Sequence, residues 1–342
     1  GKLKFEGEYL NGEKNGKGEE YDEGGLLFEG EYLNGNKWDG KGYDQYNNII
    51  YGQLSNYLDI PTDCPQRDER LGWLGDAQVF VKTAAINFNV NKFFKKWLND
   101  MALDQYPDGA VEGVTPIVPG LRTLVSSGWG DACVICPYEI YLAYNDYDIL
   151  KECYPMMTKW VNYVYNQSND YLWDSGNHYG DWLALDAPYG ECLGATDITL
   201  IASAFFYHSV DIVSKVTKIL GLDNNYYLDL KQKIKTSFQK RFIKDGLPVG
   251  KKAYLNSKEG RTPYTQTGIT LILQFGLCED NDRETLTKAL VDLIYENDIR
   301  MTTGFLGTPY ILHVLSDNGY NDVAYKLLFQ TKSPSWLFPV LH

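Results

Sequence analysis

Two periodicities divide the chain. Up to about residue 46 apolar and polar side chains alternate, as in Phe5-Glu-Gly-Glu-Tyr-Leu10 and again in Phe28-Glu-Gly-Glu-Tyr-Leu33, each run closing on Asn-Gly. Alternation that ends on Asn-Gly predicts β-hairpins, because that dipeptide tolerates the positive φ values of a tight turn. The string from Phe5 to Gly12 recurs letter for letter at 28–35, a period of 23 residues. The trailing Asn15-Gly-Lys-Gly18 returns as Asp39-Gly-Lys-Gly42, displaced by one extra residue, Trp38. From Asn47 onward the spacing becomes helical. Val79, Phe80, Thr83, Ala84, Ile86 and Phe88 predict a mostly buried helix over 75–89, and Phe93, Phe94, Trp97, Leu98 and Met101 a second that ends before Pro107. Comparable stripes follow at about 129–145, 149–166, 197–220, 225–243, 266–278, 283–296, 304–318 and 320–331. Turn signals such as Asp108-Gly109, Asn145-Asp146, Gly221 and Asp245-Gly246 separate them. Ten successive helices joined alternately by short and long loops predict a mainly α fold of antiparallel helix pairs behind a short β-hairpin segment.

Charge and composition narrow the partners. A net charge of −13 without a local basic patch excludes nucleic acid and disfavours anionic membranes. No apolar run reaches membrane-spanning length, and no charged-then-apolar leader opens the chain, which starts on Gly1. The six cysteines are spread too widely for a disulfide framework, so free thiols in a reducing, cytoplasmic compartment are expected. Cys133-Val-Ile-Cys136 lies in an apolar helical run with no second C-x-x-C and no zinc-spaced histidines, which favours small core residues over a metal or redox pair.

The candidate chemistry concentrates in Pro61-Thr-Asp-Cys-Pro-Gln-Arg-Asp-Glu-Arg-Leu-Gly-Trp-Leu-Gly-Asp76. Four carboxylates, two arginines and a tryptophan sit there among two prolines and two glycines. Prolines fix φ and glycines permit turns, so the front of this run reads as a stiff, irregular loop. Acids crowded around an aromatic ring suit sugar chemistry, where one carboxyl protonates a glycosidic oxygen, others hold hydroxyls, and a ring stacks on C–H bonds. The alternative is a solvated charged surface loop. Two features weigh against it: Trp73 is a large ring to leave in water, and paired prolines would stiffen a loop with no need of order.

The segment Asp63-Cys-Pro-Gln-Arg-Asp-Glu-Arg-Leu-Gly-Trp-Leu-Gly-Asp76 resembles the hallmark of the α-L-rhamnosidases, family 78 of the glycoside hydrolases. Further stretches agree in order: Gly128-Trp-Gly-Asp131 with Pro137-Tyr-Glu-Ile-Tyr141, Gly180-Asp-Trp-Leu-Ala-Leu-Asp186, Thr302-Thr-Gly-Phe-Leu-Gly-Thr-Pro-Tyr310 and Pro334-Ser-Trp336. The resemblance implies an (α/α)6 toroid of six helical hairpins over 47–342, lacking its C-terminal part, with the long loops and the chemistry at one rim. A closed ring wants twelve helices where the pattern shows ten. The N-terminal 1–46 resembles MORN repeats, stacked β-hairpins. With eleven acids against six lysines there, a protein-interaction or self-association arm is expected before a lipid-binding one.

The same resemblance assigns roles. Glu69 corresponds to the general acid, and Asp63, Arg67 and Asp76 to groups that bind rhamnose hydroxyls. Trp73, Trp129 and Trp182 correspond to aromatics lining the pocket, with Asp181 as a further polar contact. Core packing is the competing reading for Trp129 and Trp182, and a local ion pair with Asp63 or Asp68 for Arg67. His178 and His208 are expected to be satisfied structural histidines, and neither Glu139 nor Glu191 is favoured as a base. The family inverts configuration without a metal or other cofactor in its protonation step. Its base glutamate lies in a Thr-Thr-Ile-Trp-Glu-Arg-Trp-like segment that would follow Pro334-Ser-Trp336. The sequence reaches His342 without it, so feeble turnover is expected from these residues. A non-catalytic rhamnoside-binding relic and an interaction protein led by the hairpin repeats are the alternatives.

Overall fold

The structure, a computed structural model, describes residues 3–22, 25–33, 35–42, 71–187, 191–255 and 260–341. Asp63, Arg67 and Glu69 lie outside the described residues. The chain divides into two compact units, Gly1–Trp73 and Leu74–His342.

In the first unit β1 (Phe5–Leu10), β2 (Glu13–Asp22), β3 (Gly25–Leu33) and β4 (Asn36–Gly42) form one antiparallel meander in chain order. The predicted Asn-Gly turn joins β1 to β2, with φ of 52° at Asn11 and 87° at Gly12. Gly7, Gly18, Gly30 and Gly40 stand opposite one another across all four strands. This bare row leaves room for the Phe5 ring, whose Cζ would lie 2.5 Å from a Cβ at Gly18. Phe5 meets Tyr32 edge-on at 5.1 Å, and Lys14 lies 4.5 Å above the Phe5 ring while pairing with Glu20 at 2.8 Å. Because β2 also pairs with β3, the two repeats make a continuous sheet.

The second unit is helical: α1 (Leu74–Asn87), α2 (Asn91–Asp104), α3 (Ala132–Tyr144), α4 (Tyr147–Asn166), α5 (Ile198–Ile219), α6 (Asn225–Phe242), α7 (Gln266–Phe275), α8 (Arg283–Glu296), α9 (Thr308–Asp317), α10 (Asn321–Leu328) and the short α11 (Phe338–Leu341). A two-residue ribbon of β5 (Ile243–Lys244) and β6 (Leu247–Pro248) follows α6. All ten predicted stripes are helices. The Asn145-Asp146 turn serves two helices at once. Asn145 ends α3 in the left-handed region, and the Asp146 carboxylate caps α4 by accepting from Ile149 N. Asp197 and Thr265 cap α5 and α7 the same way. The stripe expected to start at 304 begins as a helix only at Thr308, because Asp181 holds the preceding loop in another shape.

Helices α1, α3, α5, α7 and α9 pack one against the next as an inner row, and α4, α6, α8 and α10 each pair with the inner helix before them. Periodicity reports this division. Among the outer helices, α4 buries Ile149, Leu150, Cys153, Met156, Met157, Trp160, Val161 and Val164 on one stripe, whereas inner α5 is buried nearly all round. The row curves. Its end members α1 and α9 face each other across a cavity of about 980 Å³ whose wall also takes residues from α3, α5 and α7. Cys133 and Cys136 are buried in the α3 core, where burial pushes both thiols well above the ordinary range. No described helix is long and apolar enough to cross a membrane.

Candidate active site

Pairing the helices in hairpins sends every long connection to one end. Residues 105–131 deliver α3, 167–197 deliver α5, 243–265 deliver α7 and 297–307 deliver α9, while the turns inside the pairs are short. Three of these long loops meet in an aromatic cluster whose Trp182 and Phe305 line the cavity.

The first loop is closed by Asp131. Its carboxylate accepts from Gly128 N at 2.8 Å, Trp160 Nε1 at 2.9 Å and Ser209 Oγ at 2.6 Å, tying the start of α3 to α4 and α5. Burial raises the Asp131 carboxyl and these three donors oppose it. Gly128 takes φ of 77°, and the turn presents Trp129 to the first turn of α1. There Gly75 makes the space, since a Cβ at that position would lie 2.5 Å from the Trp129 ring. Trp129 is 4 % exposed, with Tyr179 at 4.7 Å and Phe305 stacked at 5.7 Å.

Trp182 stands on the second loop, half-buried, with Tyr179 edge-on at 5.9 Å. Its carbonyl accepts from Phe305 N at 2.9 Å, and Gly304 lies so close that a Cβ there would come within 2.5 Å of that oxygen. Trp182, Phe305 and Trp336 line the cavity together with Phe80. Asp76 lies in the first turn of α1 and is half-buried.

Asp181 departs from the role expected of it. Its Oδ2 accepts from Thr267 Oγ1 and from Gly304 N at 2.7 Å, and its Oδ1 from Leu306 N at 2.8 Å and Gly307 N at 3.3 Å. At 1 % exposure the carboxylate holds the 304–307 loop against the 180s loop and has no face toward the cavity. A buried carboxylate that accepts several N–H groups is a fastening, and it sets where Trp182 and Phe305 stand. Nearby Asp186 is fully buried. It accepts from Ala195 N at 2.8 Å through Oδ1, while its Oδ2 has no partner. Burial, with Asp181 as a neighbouring like charge, pushes its carboxyl up to about 7.

Below the mouth the cavity is more polar. Gln78 of α1, Glu139 of α3, His208 of α5 and Tyr310 of α9 all line it. Lys82 pairs with Glu139 at 3.2 Å. Of the two histidines, His178 is satisfied as expected: Nδ1 accepts from Ser127 N at 3.1 Å and Nε2 lies 3.0 Å from Ser175 O. His208 is not. It stacks on Phe275 at 4.2 Å and finds no hydrogen-bond partner among the described residues. Among the described residues no group of three or more His, Cys, Asp or Glu side chains is placed to hold a metal.

This geometry joins an aromatic wall to a recognisable ancestry. Residues 44–342 match the family described as the bacterial alpha-L-rhamnosidase 6 hairpin glycosidase domain. The chain belongs to that family. It is 39% identical over 296 residues to an alpha-L-rhamnosidase of Formosa agariphila, a match covering 86% of this chain and 31% of that protein. An alpha-L-rhamnosidase of Streptomyces avermitilis is likewise 39% identical over 86% of this chain and 27% of its own length. The crystal structure of a Streptomyces avermitilis alpha-L-rhamnosidase complexed with L-rhamnose superposes with a TM-score of 0.74 at 38% identity, over 85% of this chain and 26% of that one. Native α-L-rhamnosidase from Aspergillus terreus gives 0.76 at 33% identity, over 85% and 33%. The chain therefore spans about a third or less of the length of these relatives.

Within this α-L-rhamnosidase domain Trp182 lines the cavity, Trp129 is buried behind it against Tyr179 and Phe305, and Asp76 stands at the start of α1. Trp73 is described as half-buried just before that helix. Sequence reasoning missed Phe305, which lines the cavity, Tyr179, which packs between Trp129 and Trp182, and Gln78 and Tyr310 below them. Phe305 and Tyr310 stand inside a quoted motif, so their signal was present. Gln78 carried none, since a lone glutamine on a helix has no distinctive spacing.

Proposed function

We propose that this chain carries the acid side of an inverting α-L-rhamnosidase, the reaction that releases terminal α-L-rhamnose from glycosides or polysaccharides, with only feeble turnover expected from these residues by themselves. The observation that carries the reading is the tryptophan-walled cavity at the loop end of a six-hairpin domain, together with the acid-rich hallmark around Glu69. Rhamnose is a 6-deoxy sugar, and its methyl group and C–H face match apolar rings such as Trp182 and Phe305.

The chemistry needs one acid and one base. The Glu69 carboxyl gives its proton to the glycosidic oxygen as the bond from that oxygen to the anomeric carbon breaks. Water attacks the anomeric carbon from the opposite face and yields a proton to a second carboxylate. Asp63, Arg67 and Asp76 hold hydroxyl groups of the sugar, and Trp73, Trp129 and Trp182 shape the pocket. Asp181 acts through the loops it fastens. A chromogenic α-L-rhamnoside tests the assignment: Glu69→Gln is expected to lose on the order of 10²–10⁴ of the rate. Equal turnover by the two proteins ends the role of Glu69.

The 1–46 repeats serve as an interaction or self-association arm in this reading, separate from the glycosidase domain that begins at 47. Deleting them is expected to abolish association seen by light scattering while leaving rhamnose affinity intact. The buried free thiols favour a reducing, cytoplasmic setting, which cell fractionation of the tagged protein checks.

A further inference from the structure

The lower part of the cavity holds hydrogen-bonding groups that have no partner among the described residues. Gln78 on α1 is 5 % exposed, and neither its Oε1 nor its Nε2 has a partner. His208 on α5 and Tyr310 on α9 line the same cavity, and among the described residues neither side chain makes a hydrogen bond. Buried polar groups are paired in the great majority of folded proteins, so the unpartnered Gln78 amide marks a place where a ligand completes the set, and the half-buried His208 and Tyr310 reach the same cavity from two further helices.

The charges around them describe that ligand. Glu139 is offset by Lys82 at 3.2 Å. Burial holds His208 down to about 4, so its imidazole is neutral, and Tyr310 keeps its proton. Gln78, His208 and Tyr310 are themselves uncharged, and the cavity's other charges are the Lys82–Glu139 pair and the exposed Asp317 carboxylate at the far end of α9. The three uncharged groups offer an amide with donors and an acceptor, an imidazole with one of each, and a phenol. Sugar hydroxyls both donate and accept, and they match all three. A carboxylate only accepts, and would enter with an uncompensated charge.

We propose that Gln78, His208 and Tyr310 form a hydroxyl-reading layer beneath the tryptophan mouth, which selects a neutral sugar ring over an acidic one. The inference rests on the rhamnosidase reading, and it adds determinants that the sequence motifs do not contain. Trp182 presents the apolar surface, and the layer below decides which ring is held.

Calorimetric titration of the full chain with L-rhamnose and with a hexuronate tests it, using wild type, Gln78→Leu, His208→Phe and the outer-surface control Leu142→Ala. His208→Phe keeps an aromatic ring on Phe275 and removes only the nitrogens. Each of the two cavity variants is expected to bind L-rhamnose about 10-fold more weakly, or ~1.4 kcal/mol, with the control unchanged and the hexuronate unbound. Gln78→Leu should melt no lower than wild type, because the free protein loses no bond. Unaltered affinity in both variants, equal binding of the hexuronate, or a lowered melting temperature for Gln78→Leu overturns the proposal. A wild type that ignores L-rhamnose altogether sinks the rhamnosidase reading along with it, whereas wild-type binding with insensitive variants sinks the layer alone.

Discussion

Replacing Asp186 with asparagine should make the domain more stable at pH 8 and change it little at pH 4. Asp186 is fully buried; one oxygen accepts from Ala195 N at 2.8 Å and the other has no partner. Its carboxyl rises from 3.8 to about 7, chiefly through burial. Below pH 3.8 the folded and unfolded chains are both protonated there, and the group contributes no pH dependence. Between 3.8 and about 7 the unfolded chain ionises while the folded one stays protonated. Stability present at low pH is therefore lost as pH rises, at about 1.36 kcal/mol per pH unit, or ~4 kcal/mol in all. Asparagine keeps an Oδ1 acceptor for Ala195 N and removes the titration. Its NH₂ takes the place of the unpartnered Oδ2–H of the protonated acid, so the unmet buried donor is common to both proteins at low pH. The difference between variant and wild type should then rise from under about 1 kcal/mol at pH 4 to about +4 kcal/mol at pH 8. Urea unfolding of both proteins at half-unit pH steps measures it. A difference that stays constant from pH 4 to pH 8 would falsify the assignment of a displaced carboxyl to Asp186.

The remaining predictions concern the aromatic wall. Trp129 is nearly all core, so Trp129→Ala should cost about 3–5 kcal/mol in denaturant unfolding. Trp182→Ala, at a half-buried position lining the cavity, should lower L-rhamnose affinity at least 10-fold with a smaller stability change, read by titration and unfolding on the same samples. The reverse pattern would exchange the roles of the two rings. Gly75→Ala should destabilise by about 1–3 kcal/mol and shift tryptophan fluorescence, because its Cβ would stand 2.5 Å from the Trp129 ring. An alanine there without effect means that Trp129 does not pack under α1.

Helices, hairpins and their order were legible in the chain because each rests on local spacing. Apolar residues three and four apart, capped by Asp146, Asp197 and Thr265, define helices whatever lies beyond them. Alternation up to Asn11-Gly12 defines a hairpin in the same local way. The hallmark motifs marked which loops matter. Tertiary structure decided what each motif residue does, since that depends on partners remote in sequence. Asp181 was legible as a carboxylate beside a tryptophan, and only the fold brings Thr267, Gly304, Leu306 and Gly307 to it and makes it a fastening. Trp129 and Trp182 read alike in the sequence, and packing against Gly75 and Phe305 buries the first while leaving the second half-open. Gln78, His208 and Tyr310 stand far apart along the chain. They share one cavity because the inner helices curve around a common axis, a placement that local spacing does not encode.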